Sequence, residues 1–385
     1  MMPFWLLIIA ATCFPFTAVA KVCTNITVPV NISARNGVFN VTQPQTNMDV
    51  TTFSLSYTNV AGNYTEEVLT EYATVTGRYN MSVKFCQPDN MPQNCPSVQV
   101  LTHGIGFDKT YWDLPYNHYN YSYINAATNA GFCTLSIDRL GIGNSSIADP
   151  INVIQAPAEV SALHQLNVML REGTLPGVPH AFEKIVNVGH SFGSVQTVWL
   201  ASLYPNCTDG IVLTGFSPNV SYWDATIGAW NLQIARLNSP LRFATDLPSG
   251  YLTWGNSEAN QYAFLYAPYF DPAILPYAEA TKQPVTIGEL FTILGGPGGA
   301  AEFEGPVQIV TGEHDQIFCG GSCSTTGIPN VRSLLAPAVS SFPRASAFEA
   351  YVHPNTGHGI NVHYNSTGAY QVINNFLIAN GLGSS

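Results

Sequence analysis

Gly189-His-Ser-Phe-Gly193 follows the apolar run Lys184-Ile-Val-Asn-Val188 and opens a stretch with helical character from Phe192 to about Tyr204. A serine on a sharp strand-to-helix turn is held at strained backbone angles. Glycines on either side let neighbouring backbones approach, so the hydroxyl stands exposed. The N-terminus of the helix that follows adds partial positive charge where an oxyanion would form. A hydroxyl is nevertheless a poor nucleophile at neutral pH until a neighbouring base takes its proton. His358, between two glycines in Thr356-Gly-His-Gly359, is the candidate base for Ser191, because imidazole accepts and returns a proton near neutrality. A carboxylate must then hold the imidazole tautomer and stabilise the imidazolium. Glu313 and Asp315 both follow the apolar run Val307-Gln-Ile-Val310 and are available for that role. The chemistry expected from such a set is acyl transfer through an ester of Ser191.

Nine histidines are present, and most histidines in any chain are structural. His353 stands at the end of an apolar run before Pro354, and His363 stands where a closing helix begins, so both fit structural positions. His190, inside the pentapeptide, is expected to pack beside the nucleophile.

The elements that must position these residues read as follows. Residues 21 to about 100 are rich in Thr, Asn, Val and Tyr. Alternation in Thr52-Phe-Ser-Leu-Ser-Tyr57 and Tyr72-Ala-Thr-Val-Thr76 predicts half-buried antiparallel strands. Short apolar runs then alternate with helical stretches: Val98–Leu101, Tyr123–Ala130, Phe132–Ile137, Ala158–Arg171, Lys184–Val188, Phe192–Tyr204 and Gly210–Thr214. Such repetition predicts a mostly parallel sheet covered on both faces, an α/β fold. The rhythm stops at Phe216 and resumes with strands at Val307–Val310 and Ala347–Val352 and a helix near Ala369–Ala379. The interruption, 216–302, is expected to be an inserted lid. It holds fourteen aromatic residues in 87, some of which would make the pocket apolar, and Gly295-Gly-Pro-Gly-Gly299 is its candidate hinge.

From roughly Val50 to Ala379 the chain resembles the α/β-hydrolase superfamily. Four motifs carry the resemblance in order: His103-Gly-Ile-Gly106, Asp138-Arg-Leu-Gly-Ile-Gly-Asn-Ser145, the turn around Ser191, and Gly312-Glu-His-Asp315 followed by Thr356-Gly-His-Gly359. The resemblance implies the α/β-hydrolase fold, with a mostly parallel central sheet, antiparallel N-terminal strands, helices on both faces and a lid. It favours Asp315 as the acid, with Asp224 the runner-up, because some relatives carry the acid after the sixth strand, although Asp224 falls several residues into the expected lid. It also implies an oxyanion hole built from backbone N–H groups, those of Phe192 and of Ile105, with Gly106 the alternative to Ile105. The implied substrate is a small-molecule carboxylic ester or lactone, and no cofactor or metal is implied. The chain is similar to secreted members from filamentous fungi. A serine nucleophile argues against the epoxide hydrolases and haloalkane dehalogenases of the superfamily, which use a carboxylate there. A cyclase or lyase using the same triad and a catalytically inert binding protein are the other readings, because fold and triad do not choose the substrate.

Composition bounds the partners and the compartment. A formal net charge of -11 with only 10% charged residues argues against nucleic acid, and an apolar or neutral substrate fits better. The apolar run Phe4–Phe14 followed by Ala18-Val-Ala20 reads as a secretory signal cleaved after Ala20, although the n-region lacks Lys or Arg. Ten Asn-x-Ser/Thr sequons, at Asn25, Asn31, Asn40, Asn63, Asn80, Asn120, Asn144, Asn206, Asn219 and Asn365, fit a secreted, N-glycosylated chain. No later run approaches membrane-spanning length. The expected organisation is a signal peptide at 1–20, core at 21–215, lid at 216–302 and core again at 303–385. Losing Cys13 leaves seven cysteines. The expected pairs are Cys86–Cys95, Cys319–Cys323 and Cys23–Cys207, with Cys133 a buried free thiol. Oligomeric state is not legible.

Overall fold

The computed structural model describes residues 21–89, 95–178 and 180–383; the expected signal segment and Cys13 lie outside them. The chain opens with β1 (Lys21–Phe39), where Val28, Val30, Ile32 and Ala34 are buried and the residues between them are not. That period of two gives one apolar face. Next come α1 (Asn47–Tyr57) and α2 (Tyr64–Val68), and then β2 (Leu69–Pro88) returns antiparallel to β1.

The strand expected over Thr52–Tyr57 is therefore wrong. Thr46 accepts from Asp49 N–H while the Asp49 carboxylate accepts from Thr46 N–H, a reciprocal cap that starts a helix. Val50 and Phe53, three apart, are buried, whereas Leu55 is 69% exposed. The helical period wins over a six-residue alternation.

The core continues with β3 (Ser97–Thr102), α3 (Tyr123–Asn129), β4 (Cys133–Ile137), α4 (Ala156–Glu172), β5 (Lys184–His190), α5 (Phe192–Leu203) and β6 (Gly210–Thr214). β3, β4 and β6 are buried at every residue and β5 at all but its first, as expected of strands covered on both faces. Between β6 and the next core strand lie α6 (Trp223–Trp230), β7 (Gln233–Ile234), α7 (Ala235–Asn238), β8 (Tyr251–Thr253), α8 (Ser257–Phe264), α9 (Ile274–Thr281), β9 (Val285–Thr286) and α10 (Ile287–Thr292). β7, β8 and β9 form their own antiparallel sheet. The chain closes with β10 (Val307–Gly312), α11 (Gln316–Cys319), β11 (Phe348–His353) and α12 (Ser366–Ala379).

The main sheet has eight strands in the order β1-β2-β4-β3-β5-β6-β10-β11. β2 meets β4 antiparallel, and every pairing from β4 through β11 is parallel. The α/β fold with antiparallel N-terminal strands is as expected from the sequence.

Two expected cysteine pairs are corrected by strand register. Cys23 lies directly opposite Cys86 in the β1–β2 ladder and is bonded to it, with Cα atoms 4.1 Å apart. Cys95, just before β3, meets Cys133 at the start of the adjacent β4, at 5.7 Å. Cys133 is thus not free; Cys207 is, and it is half-buried. Cys319–Cys323 pair as expected.

Candidate active site

Ser191 sits between β5 and α5 at φ 55° and ψ −118°, a conformation that L-residues rarely adopt. The local sequence makes the turn possible. A Cβ on Gly189 would strike the Gly193 carbonyl, and one on Gly193 would strike the Thr102 carbonyl. Gly104 is pressed against Ser191 itself, since a Cβ there would lie 2.8 Å from the serine Cβ. The Ser191 N–H donates to Thr214 O at 2.9 Å, tying the turn to the end of β6.

Asp315 and His358 come from the loops after β10 and β11. His358 Nδ1 donates to Asp315 Oδ2 at 2.6 Å, and both side chains are fully buried. Asp315 Oδ1 accepts from Phe318 N–H at 2.8 Å, which fixes the carboxylate as the cap of α11. The imidazole lies between the rings of Phe264 and Phe318, each 5.8 Å away between centroids. Its Nε2 is buried and has no hydrogen-bond partner among the described residues. The histidine reaches the serine turn at Gly215, where a Cβ would stand 3.0 Å from His358 Cε1, one residue beyond the Thr214 that holds Ser191.

The competing groups are placed elsewhere. Glu313 accepts from Asn355 N–H at 3.1 Å, and Asp224 is exposed on α6. His353 donates to Asn365 O at 2.9 Å. His190 donates to Thr214 Oγ1 at 3.2 Å and stacks on Tyr111 at 4.4 Å; its burial pushes its pKa well below the usual range. Phe192 follows Ser191, Ile105 and Gly106 follow the Gly104 that is pressed against Ser191, and the N–H groups of all three make no hydrogen bond among the described residues. Trp254 lies against Gly106 so closely that any side chain there would overlap its ring, and Gln283 N–H donates to Gly106 O at 3.0 Å.

Three features were not anticipated from the sequence. His363 Nε2 accepts from both Gly357 N–H and Tyr266 N–H at 3.0 Å, while its Nδ1 donates to Gly359 O at 2.9 Å. Gly359 N–H also donates to Phe264 O at 2.8 Å, so the 216–302 segment is fastened to the His358 loop as well as to Gly106. Finally, Arg139, fully buried, bonds Glu159 of α4 at 2.9 Å and Glu289 of α10, and its guanidinium lies 4.7 Å from the Phe192 ring centre. Spacing in the sequence carries no signal for those of these contacts that join distant residues, Tyr266 with His363, Phe264 with Gly359, and Arg139 with Glu159 and Glu289.

A cavity of about 170 Å³ opens on Ser191. Val195, Val198, Phe216, Trp223, Ile293 and Phe318 are among its walls, and no charged side chain lines it. Among the described residues no group of three or more His, Cys, Asp or Glu is placed to hold a metal, and no helix is long and apolar enough to cross a membrane.

The sequence profile of the alpha/beta hydrolase family matches residues 99–368. Among solved structures, a thermophilic esterase from Thermogutta terrifontis, malate bound, is similar at 15% identity and TM-score 0.50, covering 79% of this chain and 94% of that one. A structure from a study of carboxylesterases of the thaumarchaeon Nitrososphaera gargenis is similar at 14% identity and TM-score 0.51, covering 79% and 96%. Epoxide hydrolase A from Mycobacterium thermoresistibile aligns at 16% identity and TM-score 0.48, covering 78% and 95%. At these identities the likeness is one of fold. No curated protein matches the sequence.

Proposed function

The chain belongs to the alpha/beta hydrolase family, and we propose that it is a serine hydrolase cleaving a neutral, largely apolar carboxylic ester or lactone through an acyl-enzyme on Ser191. The observation that carries this reading is the buried His358–Asp315 pair, whose Nε2 has no partner among the described residues and whose imidazole lies against Gly215, one residue beyond the Thr214 that holds the strained Ser191 turn. A buried polar atom with no partner costs free energy, which is explicable where a reacting group must take the place of the partner.

In this mechanism Ser191 Oγ attacks the ester carbonyl while His358 Nε2 takes its proton. The oxyanion accepts from the N–H groups of Phe192 and Ile105. His358 returns the proton to the leaving oxygen, and water then attacks the acyl-enzyme by the same route. Asp315 keeps Nδ1 protonated and stabilises the imidazolium. The sequence resemblance implies that epoxide hydrolases of the superfamily use a carboxylate where Ser191 stands, so esters rather than epoxides suit this reading.

The cavity supports a short, uncharged acyl group. Its about 170 Å³ is close to the roughly 150 Å³ engineered cavity that takes up benzene, so one ring or a chain of about six carbons fills it. Its uncharged walls disfavour a charged arm, which would be buried without a partner.

The reading extends to a secreted, N-glycosylated protein. Nine of the ten sequon asparagines are exposed and Asn219 is half-buried, and three cysteine pairs are bonded. A panel of p-nitrophenyl esters from two to twelve carbons, with γ- and δ-lactones and styrene oxide alongside, tests the reading. Each methylene that fits should raise kcat/KM by up to about fourfold until about six carbons, then stop, with no turnover of the epoxide. Turnover of the epoxide and of no ester would overturn it.

A further inference from the structure

β1 is the outer strand of the eight-stranded sheet and pairs on one side only, with β2. In an antiparallel pair, alternate residues turn both N–H and C=O away from the partner strand. Ser33 and Gly37 show which residues these are. Ser33 N–H donates to Ser161 Oγ at 3.2 Å, and that hydroxyl lies 3.3 Å from Ser33 O as donor. Gly37 N–H donates to Gln155 Oε1 at 2.9 Å, and Gly37 O accepts from Gln155 Nε2 at 2.8 Å. The outward groups therefore belong to odd-numbered residues, and side chains near the start of α4 cap those of Ser33 and Gly37.

The first half of the strand has no such caps. The outward N–H groups of Asn25, Thr27 and Asn31 make no hydrogen bond among the described residues, and Pro29 has none to offer. A bare edge is a template on which a second copy can pair. Proteins block it with charged side chains, proline, bulges or a cover. Between Lys21 and Arg35 there is no charged residue. The outward positions hold instead two sequons, Asn25-Ile-Thr27 and Asn31-Ile-Ser33. Both asparagines are exposed, on the face opposite the buried Val28, Val30 and Ile32, and neither side chain is engaged in a hydrogen bond among the described residues. Asn80, a third sequon, lies opposite Pro29 on β2.

We infer that N-linked glycans on Asn25 and Asn31 cover the uncapped half of β1 and keep two copies of this chain from pairing edge to edge. The inference rests on the secreted reading above. The donor is a polyprenyl-diphosphate oligosaccharide: the bond from Asn Nδ2 to sugar C1 forms as the bond from C1 to the diphosphate oxygen breaks, the amide loses one proton, and polyprenyl diphosphate leaves. Pro29 removes one of the two outward N–H groups that would lie between the two sites and leaves that of Thr27.

The test uses protein secreted from a eukaryotic host, with peptide mapping for occupancy and light scattering for mass. Asn25 and Asn31 should be occupied and the wild type should run as one chain. N25Q/N31Q and T27A/S33A remove the same glycans by different substitutions, and both should shift the mass to two chains or more. N206Q/N365Q, which strips two sites remote from the edge, should leave it unchanged. Adding Thr27→Lys to N25Q/N31Q, which places a cation on the bare edge, should restore single chains. Unchanged ester turnover per chain marks each variant as folded. Bare Asn25 and Asn31 in a protein glycosylated elsewhere, or single chains in both double variants, would overturn this inference alone. Glycan at none of the ten sequons would overturn the secreted reading and this inference with it.

Discussion

His363 Nε2 accepts the N–H of Gly357 at 3.0 Å and so grips the residue immediately before His358. The same nitrogen accepts Tyr266 N–H, and Nδ1–H donates to Gly359 O, so one imidazole fixes both flanks of His358 and fastens them to the segment after β6. A misplacement of about 1 Å costs on the order of 100-fold in rate. His363→Asn is therefore expected to lower kcat by about 10–100-fold with KM changed less than about threefold, and to broaden the acid limb of the kcat–pH profile. A His363→Gln variant, whose amide oxygen reaches about as far as Nε2 does, should recover part of the loss. A purely structural role would instead lower Tm and leave kcat per folded chain intact.

The clamp requires a neutral imidazole, because Nε2 must offer its lone pair. Burial pushes the pKa of His363 down to about 4, against 6.5 for an ordinary histidine. Between those values the unfolded chain binds a proton and the folded chain does not. Stability is thus complete above pH 6.5 and falls as the pH drops toward 4, by about 3 kcal/mol from this group. His103 and His190, also pushed down by burial, act in the same direction. Urea unfolding at pH 7 and pH 4.5 should show this loss, and His363→Asn should show a smaller one.

The chemistry was far more legible in the sequence than its surroundings. The serine turn announces itself because its glycines flank Ser191 and are required by contacts inside the turn, Gly189 against Gly193, or with the adjacent strand end at Thr102. Asp315 and His358 were legible because each follows a strand, and parallel strands deliver their following loops to one end of the sheet. The helix over Asn47–Tyr57 was misread because its apolar face is narrow, Val50 and Phe53, and six residues of it happen to alternate. The cysteine pairing failed for a different reason. Cys23 meets Cys86 across 63 residues because the β1–β2 register sets them opposite each other, and proximity in sequence carries none of that.

That correction has a direct chemical test. Non-reducing peptide mapping should give Cys23–Cys86, Cys95–Cys133 and Cys319–Cys323. Burial pushes the Cys207 thiol up to about 12, so it should resist iodoacetamide at pH 8 in the folded protein and react once the chain is unfolded. Recovery of a Cys86–Cys95 peptide would restore the local pairing.

Arg139 joins the turn below Phe192 to α4 and α10 through two buried carboxylates. Burial pushes Glu159 well above the usual carboxylate range, against the pull of Arg139 and with the push of Glu289. Arg139→Met strands both carboxylates and is expected to cost about 3–5 kcal/mol, a fall in Tm of roughly 5–10 °C. Adding Glu159→Gln should return part of it, since the repulsion between Glu159 and Glu289 is then removed. Equal Tm values for wild type and Arg139→Met would show that the cluster adds nothing to stability.

The central claim is that Ser191 is a nucleophile activated by His358. Intact-mass spectrometry of the folded, deglycosylated protein after fluorophosphonate treatment tests it most directly. One adduct per chain is expected, mapping to Ser191, absent in Ser191→Ala and slowed by about 1,000-fold or more in His358→Ala. Folded wild type that takes up no probe, or labelling that persists in Ser191→Ala, would contradict it.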